Sequence, residues 1–428
     1  MTALLEHPPT PVTAPIRTPV RAPAPTADRR DLFIDALRVI GISVVVLEHW
    51  SMPVLSYDGG RITAGNALSA PGAWALTWLI QVMPLVFFAG GAANAISFRR
   101  GGRPAAAWPA VRLRRLAWPV LALAAVWIPL PHVLLSLGVP AQPVDLGARL
   151  VGQLLWFLAA YLVAVMLTPL MLRAHDRYGA LVPVAFALAA GATDAVRFAG
   201  GVEWLGYPNV VFVWIAVHQF GVLYASGRLT RPALLAAGGF GAAALLVAYG
   251  PYPGSMIGMP GAPVSNMAPP TLALLAVAAG QVGLAVLLRP WIVRLPWGRV
   301  LDWAGPRIMS VYLWHMPALV LVTGVVVVGL GIDTPVPGSL GWLAGWPLWL
   351  AVLGAVLYLL LRCVARFERA PALPYGRPRW SGALVSAGLV AAGVLTLTVA
   401  GFATGFAPIL AVVAIVGGLL RTAPTANP

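Results

Sequence analysis

Lysine is absent from all 428 residues, cysteine occurs once, and charged residues make up only 10% of the chain. Each shortage excludes a chemistry. Without lysine there is neither a Schiff-base amine nor a lysine general base, and arginine, which supplies all 28 basic side chains, does not give up its proton at workable pH. The lone thiol, Cys363 in RCVARFER, has no partner for an intrachain disulfide and reads as a structural residue at a helix end. No group of histidines and cysteines has metal-ligand spacing, so no zinc or iron–sulfur site and no metal is expected. Proton or acyl transfer is left to six histidines, thirteen carboxylates, ten tyrosines and Cys363.

What the chain has is apolar surface. A 60% apolar composition and a mean hydropathy of +0.84 exceed what one soluble core can hide, so lipid must solvate most of the protein. The expected fold is an all-α, polytopic transmembrane helical bundle. Residues 1–31 hold seven prolines and no apolar run, a composition that reads as a disordered tail rather than a signal peptide. Runs long enough to cross a bilayer then recur near 32–51, 73–97, 116–137, 150–172, 179–197, 208–226, 232–250, 269–288, 308–330 and 344–363. These give a ten-span membrane domain over 32–363. A basic linker over 364–381 follows, and 382–428 holds one or two further spans, with a turn expected at Gly401 to Gly405, and a short tail.

The net charge of +15 does not point to nucleic acid, because the arginines lie in short connections between apolar runs rather than on one face of a folded module. Placing the amino terminus in the cytoplasm puts 23 of the 28 arginines in cytoplasmic segments, which predicts a multi-pass inner (plasma) membrane protein with a cytoplasmic N-terminus.

The first span, DLFIDALRVIGISVVVLEHW, carries ionisable groups that cost free energy in lipid and so mark a candidate site. At 100° per residue, Asp35, Arg38 and His49 fall within about 60° of one another on one face, and Glu48 points away. His49 lies roughly 16 Å beyond Arg38 along the axis, so the pair can bracket an extended ligand without touching. The plainer alternative is that Arg38 snorkels to the headgroups and His49 caps the outer end in interfacial water.

The sequence Asp-x-x-Arg followed by His, in DALRVIGISVVVLEH, resembles the signature of the membrane-bound acyltransferase family 3. The segment MPLVFFAGG is similar to that family's double-phenylalanine segment, with Gly90-Gly91 where Ser-Gly is usual. The loop RRGGRPAAAWPAVRLRRLAWP resembles its basic loop, with Arg112 and Arg114 at the Arg-x-Arg element and Pro119 following. LWFLAAYL at 155–162 and SVYLWHMP at 310–317 match two further segments, so the resemblance covers roughly residues 32–363.

The resemblance implies transfer of an acyl group, commonly acetyl from acetyl-CoA, to a hydroxyl of a carbohydrate, lipid or secondary metabolite. It implies no permanently bound cofactor; the partners are the bilayer, acyl-CoA and the acceptor. It assigns catalysis to His49 with Asp35 and Arg38, and histidine's pKa near 6.5 suits general acid and base work. His49 either deprotonates the acceptor or carries the acyl group itself. Arg112, Arg114 and Arg115 are candidates for the donor's phosphates, although topology alone also asks for a basic loop there. His218 and His315 are candidates for lining the site, against a plainer role as packed, hydrogen-bonded core histidines. Asp194 and Glu203 are candidate partners for the second ring nitrogen of His49.

Two other classes fit parts of the pattern. A proton-coupled transporter or flippase would also bury histidine and arginine, but no internal repeat is visible; a non-catalytic scaffold gives no reason for charge at Asp35 and Arg38. The tryptophan-rich GWLAGWPLWLAV is expected to anchor the membrane interface rather than line an acyl pocket.

Overall fold

The computed structural model describes residues 31–101, 106–259, 262–368, 370 and 380–421. Residues 1–30 of the expected 1–31 tail, most of the linker and the last seven residues lie outside the described residues. In chain order the elements are α1 (Leu32–Ser51), β1 (Pro53–Tyr57), β2 (Ile62–Asn66), α2 (Thr77–Ile80), α3 (Met83–Arg99), α4 (Ala107–Trp127), α5 (Pro129–Ser136), α6 (Ala141–Gln153) and α7 (Trp156–Tyr178). There follow α8 (Leu181–Gly200), α9 (Asn209–Ala225), α10 (Pro232–Tyr249), α11 (Leu272–Ile292), α12 (Gly298–Ala304), α13 (Ile308–Thr323), α14 (Leu340–Val364), α15 (Trp380–Ala400) and α16 (Ala407–Arg421).

Among the described residues, ten helical segments are long and apolar enough to cross a membrane, and the protein is a multi-pass helical membrane protein. The 20-residue α1 stands apart from these ten because it carries Asp35, Arg38 and Glu48. Beyond the linker the chain forms two helices, α15 and α16, and the turn between them falls over Gly401 to Phe406. At 15 residues α16 is shorter than the roughly 20 a full crossing needs.

Two spans are broken where the sequence suggested continuous runs. Pro129, which cannot donate to a preceding turn, starts α5 immediately after α4, and residues 154–155 separate the amphipathic α6 from α7. The β1–β2 hairpin was not anticipated. Its signal is Asp58-Gly59-Gly60 between two short β-like stretches: Gly59 takes φ +92°, and the Asp58 carboxylate accepts from the Gly60 and Arg61 amides at 3.1 and 2.8 Å. Those backbone bonds hold the Asp58 carboxyl below the usual carboxylate range.

Small residues let the helices approach closely, as lipid-exposed bundles require when no water is expelled between them. At the α3–α9 crossing a Cβ on Gly91 would lie 2.0 Å from the His218 carbonyl oxygen, and one on Gly221 2.1 Å from that of Phe88. The α15–α16 pair packs on α4, α6 and α7, and the Phe402 amide donates to the Ala148 carbonyl at 3.0 Å.

The Gly91 contact is with backbone, which cannot rotate aside, so Gly91→Ala is expected to destabilise the bundle by about 3 kcal/mol. Thermal melting of detergent-solubilised protein, followed by loss of the monodisperse species, measures this; an unshifted melting curve would contradict the packing described.

Candidate functional site

The last turn of α1 is fixed by indole donors. The Trp349 indole of α14 donates to the Trp50 carbonyl at 2.9 Å, pairing a helix-end acceptor that α1 itself leaves free, and Trp346 donates to the Ser51 hydroxyl at 3.1 Å, which in turn donates to the Leu47 carbonyl at 2.6 Å. Trp50 in turn donates from its own indole to the His315 carbonyl at 2.9 Å, locking α1 to α13. The tryptophans of GWLAGWPLWLAV thus position α1, a role that interface anchoring alone does not describe.

This clamp brings two imidazoles together. His49 Nδ1 lies 3.0 Å from His315 Nε2, with ring centroids 5.2 Å apart and ring planes 21° from parallel, so the two rings meet edge to edge. His315 Nδ1 lies 2.8 Å from the Tyr312 carbonyl oxygen. A carbonyl only accepts, so His315 Nδ1 bears the proton and Nε2 the lone pair. His49 Nδ1–H must then donate to that lone pair, which leaves His49 Nε2 as an unprotonated, accepting nitrogen. Tyr312 completes the chain by donating its hydroxyl to the Leu154 carbonyl at 2.5 Å.

The second nitrogen of His49 is therefore held by His315, not by a carboxylate. Asp194 accepts from Asn209, Tyr252 and the Leu272 amide at 2.8, 3.1 and 2.7 Å, and Glu203 accepts from Arg197 at 2.5 Å. Both tie α8 to its neighbours. Their sequence position suggested the outer end of the bundle, but helical neighbours rather than His49 absorb their charge.

Two cavities flank the histidine pair. One, of about 470 Å³, opens at the end where α1 begins and is lined by Arg38, Arg112, Arg115 and Arg307, with Tyr161, Ser310, Tyr312 and Glu368. The other, of about 540 Å³, opens beneath the hairpin and has His49 in its wall. His315 is fully buried, and Tyr312, one turn away on α13, lines the first cavity.

The expected site residues distribute unevenly over this arrangement. Arg38 pairs with Asp35 at 3.6 Å and reaches the first cavity. Arg112 and Arg115, three residues apart, share a face of α4 and line that cavity, whereas Arg114, about 200° round from Arg112, is only 2% exposed and leaves Nε and Nη1 without partners. His218 lies in neither cavity wall. It is fully buried, and Asn94 Nδ2 donates to its Nε2 at 3.2 Å. Arg307 and Glu368 were not singled out from sequence; the signal for both is charge beside an apolar run.

Glu368 accepts from the Ser310 hydroxyl and from the Trp314 indole, the latter at 2.8 Å. Burial pushes its carboxyl above the usual range, and these two bonds offset part of that shift. A carboxyl raised in the folded state favours folding in acid, and that contribution is lost as pH climbs through the raised value. Glu368→Gln is therefore expected to raise the melting temperature relative to the parent at about pH 8 and to leave it unchanged near pH 4, below the ordinary glutamate value of ~4.3. A melting-temperature difference independent of pH would contradict the assignment.

A comparison with the curated proteins gives no match, and neither does one with the solved structures. A family model described as an acyltransferase domain matches residues 31–365, more than three quarters of the chain, including the histidine pair and all of the two cavity linings except Glu368 and Ala370. The chain belongs to the acyltransferase 3 family of membrane acyltransferases.

Proposed function

We propose that the protein is an integral membrane O-acyltransferase that takes an acyl group, acetyl in the simplest case, from acyl-CoA and places it on a hydroxyl. We place it in the inner membrane with its amino terminus cytoplasmic, because that orientation puts most arginines on the side from which an anionic donor arrives. The observation that carries the reading is the orientation of His49: its Nδ1 is committed to His315 and its Nε2 is free to accept a proton in the wall of a cavity.

The arginine-lined cavity supports a donor with several phosphate charges, since guanidinium groups bind phosphate through paired N–H donors. The donor's thioester arm runs along α1 from Arg38 towards His49, a rise of roughly 16 Å. His49 Nε2 takes the acceptor's hydroxyl proton as the oxygen attacks the thioester carbonyl; the C–S bond then breaks, and the proton passes to the departing thiolate. The imidazolium formed in between strengthens its Nδ1–H bond to His315, so the pair shares the positive charge. An acyl-histidine at the same Nε2 is the two-step version of this chemistry. Labelled protein recovered after incubation with [1-¹⁴C]acetyl-CoA alone distinguishes it from direct transfer.

His49→Ala is expected to lower transfer from acetyl-CoA by about 10³-fold with the protein still folded and donor binding retained. Arg112→Ala with Arg115→Ala is expected to raise KM for acetyl-CoA about tenfold or more with kcat little changed. Radiolabel transfer by purified protein measures both. Full activity in His49→Ala would overturn the reading, and an unchanged KM would return the two arginines to topology.

A further inference from the structure

Resting on the acyl-transfer reading, we propose that the acceptor is a predominantly apolar alcohol that occupies the cavity beside His49. The cavity's wall comes from four parts of the fold: the end of α1 with the hairpin, α5, α6, and the end of α13 with the turns after it. Leu55, Leu134, Val144, Leu150, Met316 and Leu319 are typical of the lining, and no charged side chain contributes. Its roughly 540 Å³ falls within the range of pockets that bury a drug-sized molecule and far exceeds an acetyl group.

Chemistry of the wall decides the class of occupant. A sugar ring brings several hydroxyls, and each one buried without a partner costs about 1–3 kcal/mol. Besides His49, the side chains here with a polar atom are Asn66, Thr323 and Trp127. Asn66 already accepts from the Leu68 amide, and its Nδ2 has only the Met52 sulfur at 3.8 Å. The Thr323 hydroxyl oxygen is buried below the wall's surface and is not presented to the cavity. The Asn66 amide and the Trp127 indole are too few partners for the hydroxyls of a carbohydrate.

The other obvious occupant is the donor's own acyl chain. The donor's anionic end matches the arginine cavity on the other side of the histidine pair, which leaves this cavity to the acceptor. Its roof is built for retention. Thr334 donates its hydroxyl to the Leu55 carbonyl and its amide to the same oxygen, Asp333 accepts from the Tyr57 amide at 2.9 Å, and Gln142 bonds both the amide and the carbonyl of Ile62. The hairpin is thereby tied both to the segment after α13 and to α6.

The test uses the full chain in nanodiscs, with acetyl transfer from [1-¹⁴C]acetyl-CoA to 1-hexanol, 1-octanol, 1,8-octanediol, glucose and N-acetylglucosamine. We expect kcat/KM to rise about fourfold per methylene from hexanol to octanol, with no product from either sugar. The second hydroxyl of 1,8-octanediol should lower kcat/KM about fivefold relative to 1-octanol. Sugars acetylated as fast as octanol, or the diol preferred over octanol, would overturn the proposal. Binding is read separately by maleimide labelling of Ala64→Cys in a Cys363→Ser background, which 1-octanol should slow and glucose should not. Slowing by lauroyl-CoA without slowing by octanol would make this an acyl-chain pocket and overturn the proposal. Protection by octanol with no acetyl transferred to any alcohol would uphold the binding site and sink the transferase reading; transfer to sugars without protection would do the reverse.

Discussion

The 3.0 Å hydrogen bond between His49 Nδ1 and His315 Nε2 is the contact on which the rest of the site depends. It spans 266 residues of chain, joins the first helix to the thirteenth, and is held at both ends by bonds to the backbone of α13. Tyr312 sets the tautomer of His315, His315 sets that of His49, and the free nitrogen of His49 follows without further choice. Trp349 and Trp346 of α14 serve the same end by donating to the Trp50 carbonyl and the Ser51 hydroxyl of α1. A residue about three turns along α1 from Arg38 is thus fixed by indoles and imidazoles.

On either side of this contact the protein separates two kinds of solvation. Four guanidinium groups converge on one cavity, and apolar side chains with single polar atoms line the other. Asp194, hydrogen-bonded by Asn209 and Tyr252, and the Arg197–Glu203 ion pair line neither cavity and brace α8 against its neighbours. That division sets a guanidinium-lined cavity and an apolar one at different points along α1 and α13.

Much of the fold was legible because lipid imposes a strong rule: each crossing needs a long apolar run, and such runs can be read directly. Breaks inside those runs were not, since the interruptions at Pro129 and at Leu154–Leu155 divide a helix without interrupting its hydropathy. The hairpin was readable in principle from its Asp-Gly-Gly turn, but five-residue strands leave little pattern. In the site, α1 drew attention because charge in a span is costly. The partner of His49 could not be read, because nothing local to VYLWHMP distinguishes a bonded core histidine from one that orients another ring. Carboxylates looked the better partners by chemistry, and only tertiary packing removed Asp194 and Glu203 from consideration. Helical spacing alone would have separated Arg114 from Arg112 and Arg115.

The tautomer of His49 is the claim from which the proposed chemistry descends. Magic-angle-spinning NMR of ¹⁵N-histidine-labelled protein in lipid, with His49 and His315 assigned by single His→Gln replacements, reads it directly. The account predicts a protonated Nδ1 and unprotonated Nε2 on His49, with a nitrogen–nitrogen coupling through the hydrogen bond to His315 Nε2. A His49 ring protonated at Nε2, with no coupling to His315, would contradict it.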